Sequence, residues 1–188
     1  MDFDNQKKQA MNKLLAVDKS RKGDIDKEIL PFITVINKQP EYYSTSSCAG
    51  RIMLISLSEK KQDVKWLFQS HSNVATHDIL DALKDPPDET VWLRMEAPIV
   101  HIAVQTIEAA DKLLKLANNA GFRRSCLLSM KPRIIVELYF PERMDIPISE
   151  NRKLLVTEEY IAAVLRHANA RIKSSRNKLK KLEKLFIS

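Results

Sequence analysis

Apolar positions along the chain change period several times, and each change marks an element. Phe3, Ala10, Leu14 and Val17 recur at helical spacing and predict a first helix over residues 2–17. Ile25, Ile29, Phe32, Ile33 and Ile36 share the inner side of a second helix. Asp24 or a neighbour caps it, Pro31 sits within its first turns, and Pro40 ends it. Residues 51–58 and 64–70 then read as strands paired as a hairpin across 59–63. A short helix is expected from His77 to Lys84, stopped by Pro86 and Pro87. Residues 90–104 are rich in β-branched and aromatic side chains, and Pro98 divides them into two strand pieces. Ile107, Ala110, Leu114 and Ala117 share one face of a helix that Gly121 ends. Residues 133–140 alternate as a strand, and short extended pieces continue to Thr157.

A long helix follows. Thr157 caps it, and Glu158 and Glu159 favour its positive end. Ile161, Leu165, Ala168, Ile172, Ser175, Leu179, Leu182 and Phe186 fall at alternating spacings of four and three, a seam for packing along one stripe. Packing over the body is the modest reading of that seam; dimerisation through it is the sharper one. The interleaved elements predict an α+β fold, with one domain over residues 1–188 and a mixed sheet covered by helices on at least one side. Residues 157–186 form its C-terminal helix, and the order of elements hints at two loosely similar halves.

Composition narrows the class. At 188 residues the chain is long enough for one domain with a proper core. Its longest uncharged apolar run, Ile29 to Asn37, is far shorter than the roughly 20 residues of a membrane span. The first twenty residues lack the apolar centre of a signal peptide. Cys48 and Cys126 are the only cysteines, which points to a reduced, cytoplasmic protein without disulfides. The net charge of +7 is concentrated: eight bases against Glu183 lie between Arg166 and the C-terminus, so the remaining chain is neutral. Such a segment either neutralises RNA phosphates or forms a solvated helix face.

The most informative stretch is Tyr42 to Arg51. Ser44, Thr45, Ser46, Ser47 and Cys48 crowd together before Gly50 and Arg51. Buried hydroxyls each need a partner, so the run suits a loop that meets a polar ligand, with Arg51 ready for a phosphate or carboxylate. A serine-rich turn between strands is the alternative. With only Gly23, Gly50 and Gly121 in the chain, no Gly-x-Gly-x-x-Gly cradle follows a strand, and a non-Rossmann fold is expected. His71, His77, His101 and His167 and the two cysteines lack zinc-site spacing, and no metal is expected.

The run Ser44-x-Ser46-Ser47-Cys48-x-Gly50-Arg51 resembles the signature of the wybutosine-synthesis methyltransferase family. Further blocks agree in order: Ser20 to Asp26, Lys65 to His71, Glu96 to His101, Ala117 to Arg123 with Ser125, and Leu154 to Tyr160. The resemblance implies methylation, with S-adenosylmethionine as donor, of a ring nitrogen in the tricyclic guanosine beside the anticodon of phenylalanine tRNA. Under it, Ser44, Ser46, Cys48, Gly50 and Arg51 are candidates for holding the cofactor. His101 is the acid–base candidate, since histidine titrates near working pH, and Asp26 and Ser47 join it. Trp66 and His71 are candidates for the exposed base, and Arg171, Arg176 and Lys180 for phosphates.

Each residue also has a plain structural reading. His101 in an apolar strand can be structural, Asp26 a helix cap, Arg51 a surface ion pair and Trp66 a packing residue. The segment Met95 to Gln105 lacks the aromatic and arginine residues often found there in the family, which leaves open the preference among tricyclic bases. The rival function is a non-catalytic RNA-binding or complex-forming protein that acts through the basic C-terminal helix.

Overall fold

A computed structural model describes residues 2–15, 26–56 and 64–187. In chain order the elements are α1 (Phe3–Leu15), α2 (Leu30–Lys38), β1 (Tyr42–Cys48), β2 (Arg51–Ser56), β3 (Lys65–Ser70), α3 (Thr76–Ala82), β4 (Val91–Glu96) and β5 (Ile99–Val104). They continue with α4 (Ile107–Ala120), β6 (Cys126–Ser129), β7 (Ile134–Tyr139), β8 (Arg143–Glu150), β9 (Lys153–Leu154) and α5 (Glu158–Ile187). The expected roles of Val17, Asp24, Ile25, Leu57 and the connection 59–63 fall outside the described residues.

The fold is α+β, but its strands do not form one mixed sheet. They form two sheets, β1-β5-β7-β6 and β3-β2-β4-β8-β9, and every pairing in them is antiparallel. Pro98 and Pro141 show why. Each lies between consecutive strands, lacks an N–H for a ladder, and so separates β4 from β5 and β7 from β8 into different sheets. The chain accordingly divides into two compact units. The first comprises Met1–Ala49, Pro98–Pro141 and Ser175–Ser188, and the second Gly50–Ala97 and Glu142–Ser174.

In the first unit, α4 buries Ala109, Ala110, Leu113, Ala117 and Ala120, while Ile107 is left exposed. The inner stripe is thus rotated by about one residue from the expected one. Thr106 caps the helix by accepting the Ala109 N–H at 3.1 Å. Gly121 ends it with φ +103°, in the left-handed region, as the sequence predicts. A Cβ there would also stand 3.2 Å from the Lys178 side chain. Gly121→Ala is therefore expected to cost about 1 kcal/mol or more, read as a lowered Tm.

In the second unit, Ile52, Leu54, Leu93, Met95 and Ile148 of the sheet pack with Ile79 of α3 and with Ile161, Leu165, Ala168 and Ile172 of α5. The Asn169 amide fixes α5 to the start of α3, donating to Val74 O at 2.9 Å and accepting Val74 N–H at 3.1 Å. The seam read from the sequence holds along α5: Ile161 through Leu182 are buried at all seven positions, and Phe186 is half-buried. Residues 158–174 of the helix pack within the second unit and residues 175–187 within the first.

Candidate functional site

Tyr42 to Cys48 form strand β1 rather than a loop. Tyr42 and Tyr43 are both buried and anchor it. The Tyr42 hydroxyl donates to Ala109 O at 3.0 Å, and the Tyr43 hydroxyl to Gln6 Oε1 at 3.1 Å. Burial pushes the Tyr42 phenol up to about 12, with the nearby Glu41 charge adding to the shift. The hydroxyls that follow are satisfied by neighbours, which is how a serine-rich run persists as a strand. Asn37, on the last turn of α2, clasps Ser44 twice: its Oδ1 accepts Ser44 N–H at 2.8 Å, and its Nδ2 donates to Ser44 Oγ at 3.0 Å. Asn37→Ala is expected to lose about 1–3 kcal/mol of stability, measurable by chemical denaturation.

A register shift at Thr45 re-aims the strand, so that Ser46 lies opposite His101 and His101 opposite Glu137. The three side chains connect across one face. Ser46 Oγ lies 2.8 Å from His101 Nδ1, and His101 Nε2 lies 2.8 Å from Glu137 Oε2. An ionised carboxylate only accepts, so Nε2 carries hydrogen and donates to Glu137. In the neutral ring Nδ1 is then an acceptor for the Ser46 hydroxyl. Thr45 Oγ1 adds a bond to His101 O at 3.2 Å. All three members of the row keep some solvent exposure. The row is an ordered serine–histidine–carboxylate arrangement with a basic nitrogen aimed at a hydroxyl.

The strand's end is held separately. The Ala49 N–H donates to Asp26 Oδ2 at 2.7 Å, and Ala49 O accepts from Arg176 Nε at 3.0 Å. One fully buried residue is thus gripped at both its backbone polar groups by side chains from remote parts of the chain. Burial lowers the Arg176 pKa from its ordinary value, while the Glu28 and Asp26 carboxylates and Cys48 oppose that shift. Ser47 lies opposite Val100 and is half-buried, as is Cys48.

In the second unit, Gly50 adopts φ +82°, a backbone angle that favours glycine. Its carbonyl accepts from His71 Nδ1 at 3.0 Å. Arg51 donates from Nε to Glu96 Oε2 at 3.0 Å, with Nη2 also 3.0 Å from that oxygen. Its guanidinium stands 5.1 Å from the centre of the Trp66 ring. Trp66 is 52% exposed.

Of the residues singled out from the sequence, the fold joins Ser46 to His101 and ties Asp26 and Arg176 to the backbone of Ala49. Ser44 faces Asn37, and His71 braces Gly50. Arg171 and Lys180 lie exposed on α5. Glu137, Asn37 and Glu96 were missed. The signal for Glu137 was available, as a lone acid within the apolar run Ile134-Ile135-Val136-Glu137-Leu138-Tyr139, but its partner is 36 residues away.

Known proteins match this chain along nearly its whole length. The family described as methyltransferase TYW3 matches residues 5–188. A Pyrococcus abyssi protein named tRNA(Phe) 7-((3-amino-3-carboxypropyl)-4-demethylwyosine(37)-N(4))-methyltransferase 1 is 34% identical, covering 97% of this chain and 94% of its own. A Pyrococcus furiosus protein of the same name is 36% identical, over 97% and 93%. The solved structure of the PH1069 protein from Pyrococcus horikoshii superposes with a TM-score of 0.90 at 34% identity, covering 98% of this chain and 96% of that one. With family signature, relatives and fold in accord, the chain belongs to the TYW3 methyltransferase family.

Proposed function

We propose that this chain methylates the N4 ring nitrogen of 7-(3-amino-3-carboxypropyl)-4-demethylwyosine at position 37 of phenylalanine tRNA, with S-adenosylmethionine as donor. The relatives' names supply the acceptor, and the row Ser46–His101–Glu137 is the observation that carries the chemistry. An acceptor nitrogen that bears hydrogen must lose it as its new bond forms. The Ser46 hydroxyl is set to take that proton while passing its own to His101 Nδ1. Glu137 holds the opposite ring nitrogen as a donor and stabilises the resulting imidazolium.

The residues suit the donor's chemistry. S-adenosylmethionine offers hydroxyls, an amino acid head and a sulfonium, and it supplies an electrophilic methyl group when bound. The Ser47 hydroxyl matches its hydroxyl groups and Asp26 its ammonium. Cys48 ends β1, and beyond it the Ala49 N–H and carbonyl are fixed by Asp26 and Arg176. That fixation keeps the hydroxyl row in place.

Incubation with S-adenosylmethionine labelled in the methyl group tests the reading. Label is expected on phenylalanine tRNA carrying the tricyclic precursor and not on unmodified tRNA. Binding of the modified tRNA without transfer would move the assignment to a non-catalytic RNA-binding protein.

A further inference from the structure

The positive charge of this chain is distributed unevenly between its two units. The first holds 19 of the 31 bases and 11 of the 24 acids, a net charge of +8, and the second is slightly negative. Within the first unit, several bases of α5 are already engaged by the fold. Arg176 grips Ala49 O, Lys178 Nζ stands 4.1 Å from the centre of the Phe140 ring, and Lys181 Nζ donates to Asn119 O at 2.9 Å. Lys180 and Lys184 share a cavity with Glu28 and Glu183. Three of the eight bases of the segment that stands out in the sequence, Arg176, Lys178 and Lys181, therefore serve the protein itself.

A different set of cations is uncommitted. Arg123 and Arg124 precede edge strand β6, and Lys131 and Arg133 follow it. All four are exposed, and among the described residues none makes an ion pair or a side-chain hydrogen bond. Between the two pairs, Leu128 is 52% and Met130 60% exposed. Among the described residues the strand pairs only with β7, and no further strand lies on its outer edge. Strand β6 itself, Cys126–Ser129, spans about 10 Å at about 3.3 Å per residue. Four unpaired cations in two pairs along such an edge match a polyanion with regularly spaced charges, and the exposed apolar side chains between them suit sugar and base surfaces.

We propose that the β6 edge, through Arg123, Arg124, Lys131 and Arg133, is a docking surface for the phosphate backbone of the tRNA substrate. This rests on the reading of the chain as a tRNA methyltransferase. The contact positions the RNA and reads no base.

The test compares the full-length chain with the variant R123A/R124A/K131A/R133A, and with K112A/K115A as a control of the same sign on α4, where both lysines have acidic partners. Affinity for phenylalanine tRNA is measured across a range of KCl concentrations, with S-adenosylmethionine affinity and Tm recorded alongside. Each lost phosphate contact lowers the slope of log K against log salt by roughly 0.7–0.9, so the fourfold variant is expected to lose about 3. Its affinity near 0.1 M salt should fall by roughly tenfold or more, while donor affinity and Tm hold. The control should move the slope much less. The two double variants R123A/R124A and K131A/R133A should each give about half the effect, which keeps the test informative if the fourfold variant folds poorly. An unchanged slope and affinity in folded variants, with methyl transfer intact in the wild type, overturns the surface and leaves the enzyme assignment standing. A wild type that binds no tRNA overturns both.

Discussion

His101→Ala is expected to slow methyl transfer by about 10²–10⁴-fold, the usual contribution of a positioned acid–base group. The loss should appear in the rate at saturating tRNA and donor, with the affinities for both nearly unchanged, because the imidazole acts on a proton that moves during the reaction. Ser46→Ala should follow in the same direction, since Ser46 Oγ is the hydroxyl set against Nδ1. Glu137→Gln keeps the shape of its side chain but replaces an acceptor-only carboxylate by an amide that can also donate. Its amide oxygen can still receive Nε2–H, so the fall in rate should be smaller than for His101→Ala, and it should again leave binding alone. Rapid-quench single-turnover measurements with saturating donor separate these effects from binding. A His101→Ala rate near that of the wild type would remove the imidazole from the chemistry.

The second large effect is expected at Asp26. Asp26→Ala leaves the buried Ala49 N–H without its carboxylate acceptor, a loss of about 1–3 kcal/mol of stability. In a chain of this size that corresponds to about 2–4 °C in Tm for each kcal/mol. The functional loss should exceed the thermal one, because Ala49 closes the strand that carries Ser46 and Ser47. Donor affinity and turnover are both expected to fall, by roughly tenfold or more if displacement of the strand end costs as much as the lost bond. Asp26→Asn retains a carbonyl acceptor and should restore most of the Tm while leaving donor binding weak, since the carboxylate charge is gone. Arg176→Ala should resemble Asp26→Ala, as it releases the other backbone polar group of the same residue. If Asp26→Ala lowers the Tm but leaves donor affinity intact, the residue braces the strand and nothing more.

The sequence carried much of this architecture because several local rules and tertiary demands coincide. Gly121 stops α4 where its left-handed angle is needed, Pro98 separates β4 from β5, and the α5 seam is buried as its spacing predicts. The hydroxyl stretch misled because its structure is set from a distance. Ser44 to Ser47 show no strand period, and β1 exists through pairing with β5, more than 50 residues later, and through the Asn37 clasp. Tyr42 and Tyr43 were the overlooked signal, since adjacent aromatics anchor opposite sides of a strand. Strand β6, with only four residues, was too short to announce itself.

The site was legible in its members and hidden in its connections. Ser46, His101 and Asp26 carry chemistry by residue type, but the bond to Glu137 follows from the register of β5 against β7. Arg176 shows the converse. As one base in a charged run it looked ready for phosphate, yet its Nε is spent on a backbone carbonyl, which no periodicity could reveal. The split into two antiparallel sheets was hidden for a related reason: strand spacing alone does not say which neighbours pair.

The central claim is that this chain methylates the tricyclic base through the Ser46–His101–Glu137 row. It is tested most directly by mass spectrometry of nucleoside 37 after a single turnover with precursor-bearing phenylalanine tRNA, comparing wild type, His101→Ala and Glu137→Gln. The account predicts the mass of one added methyl group on that nucleoside with wild type, a partial signal with Glu137→Gln, and almost none with His101→Ala at equal tRNA and donor occupancy. A full methyl signal from all three proteins would contradict it.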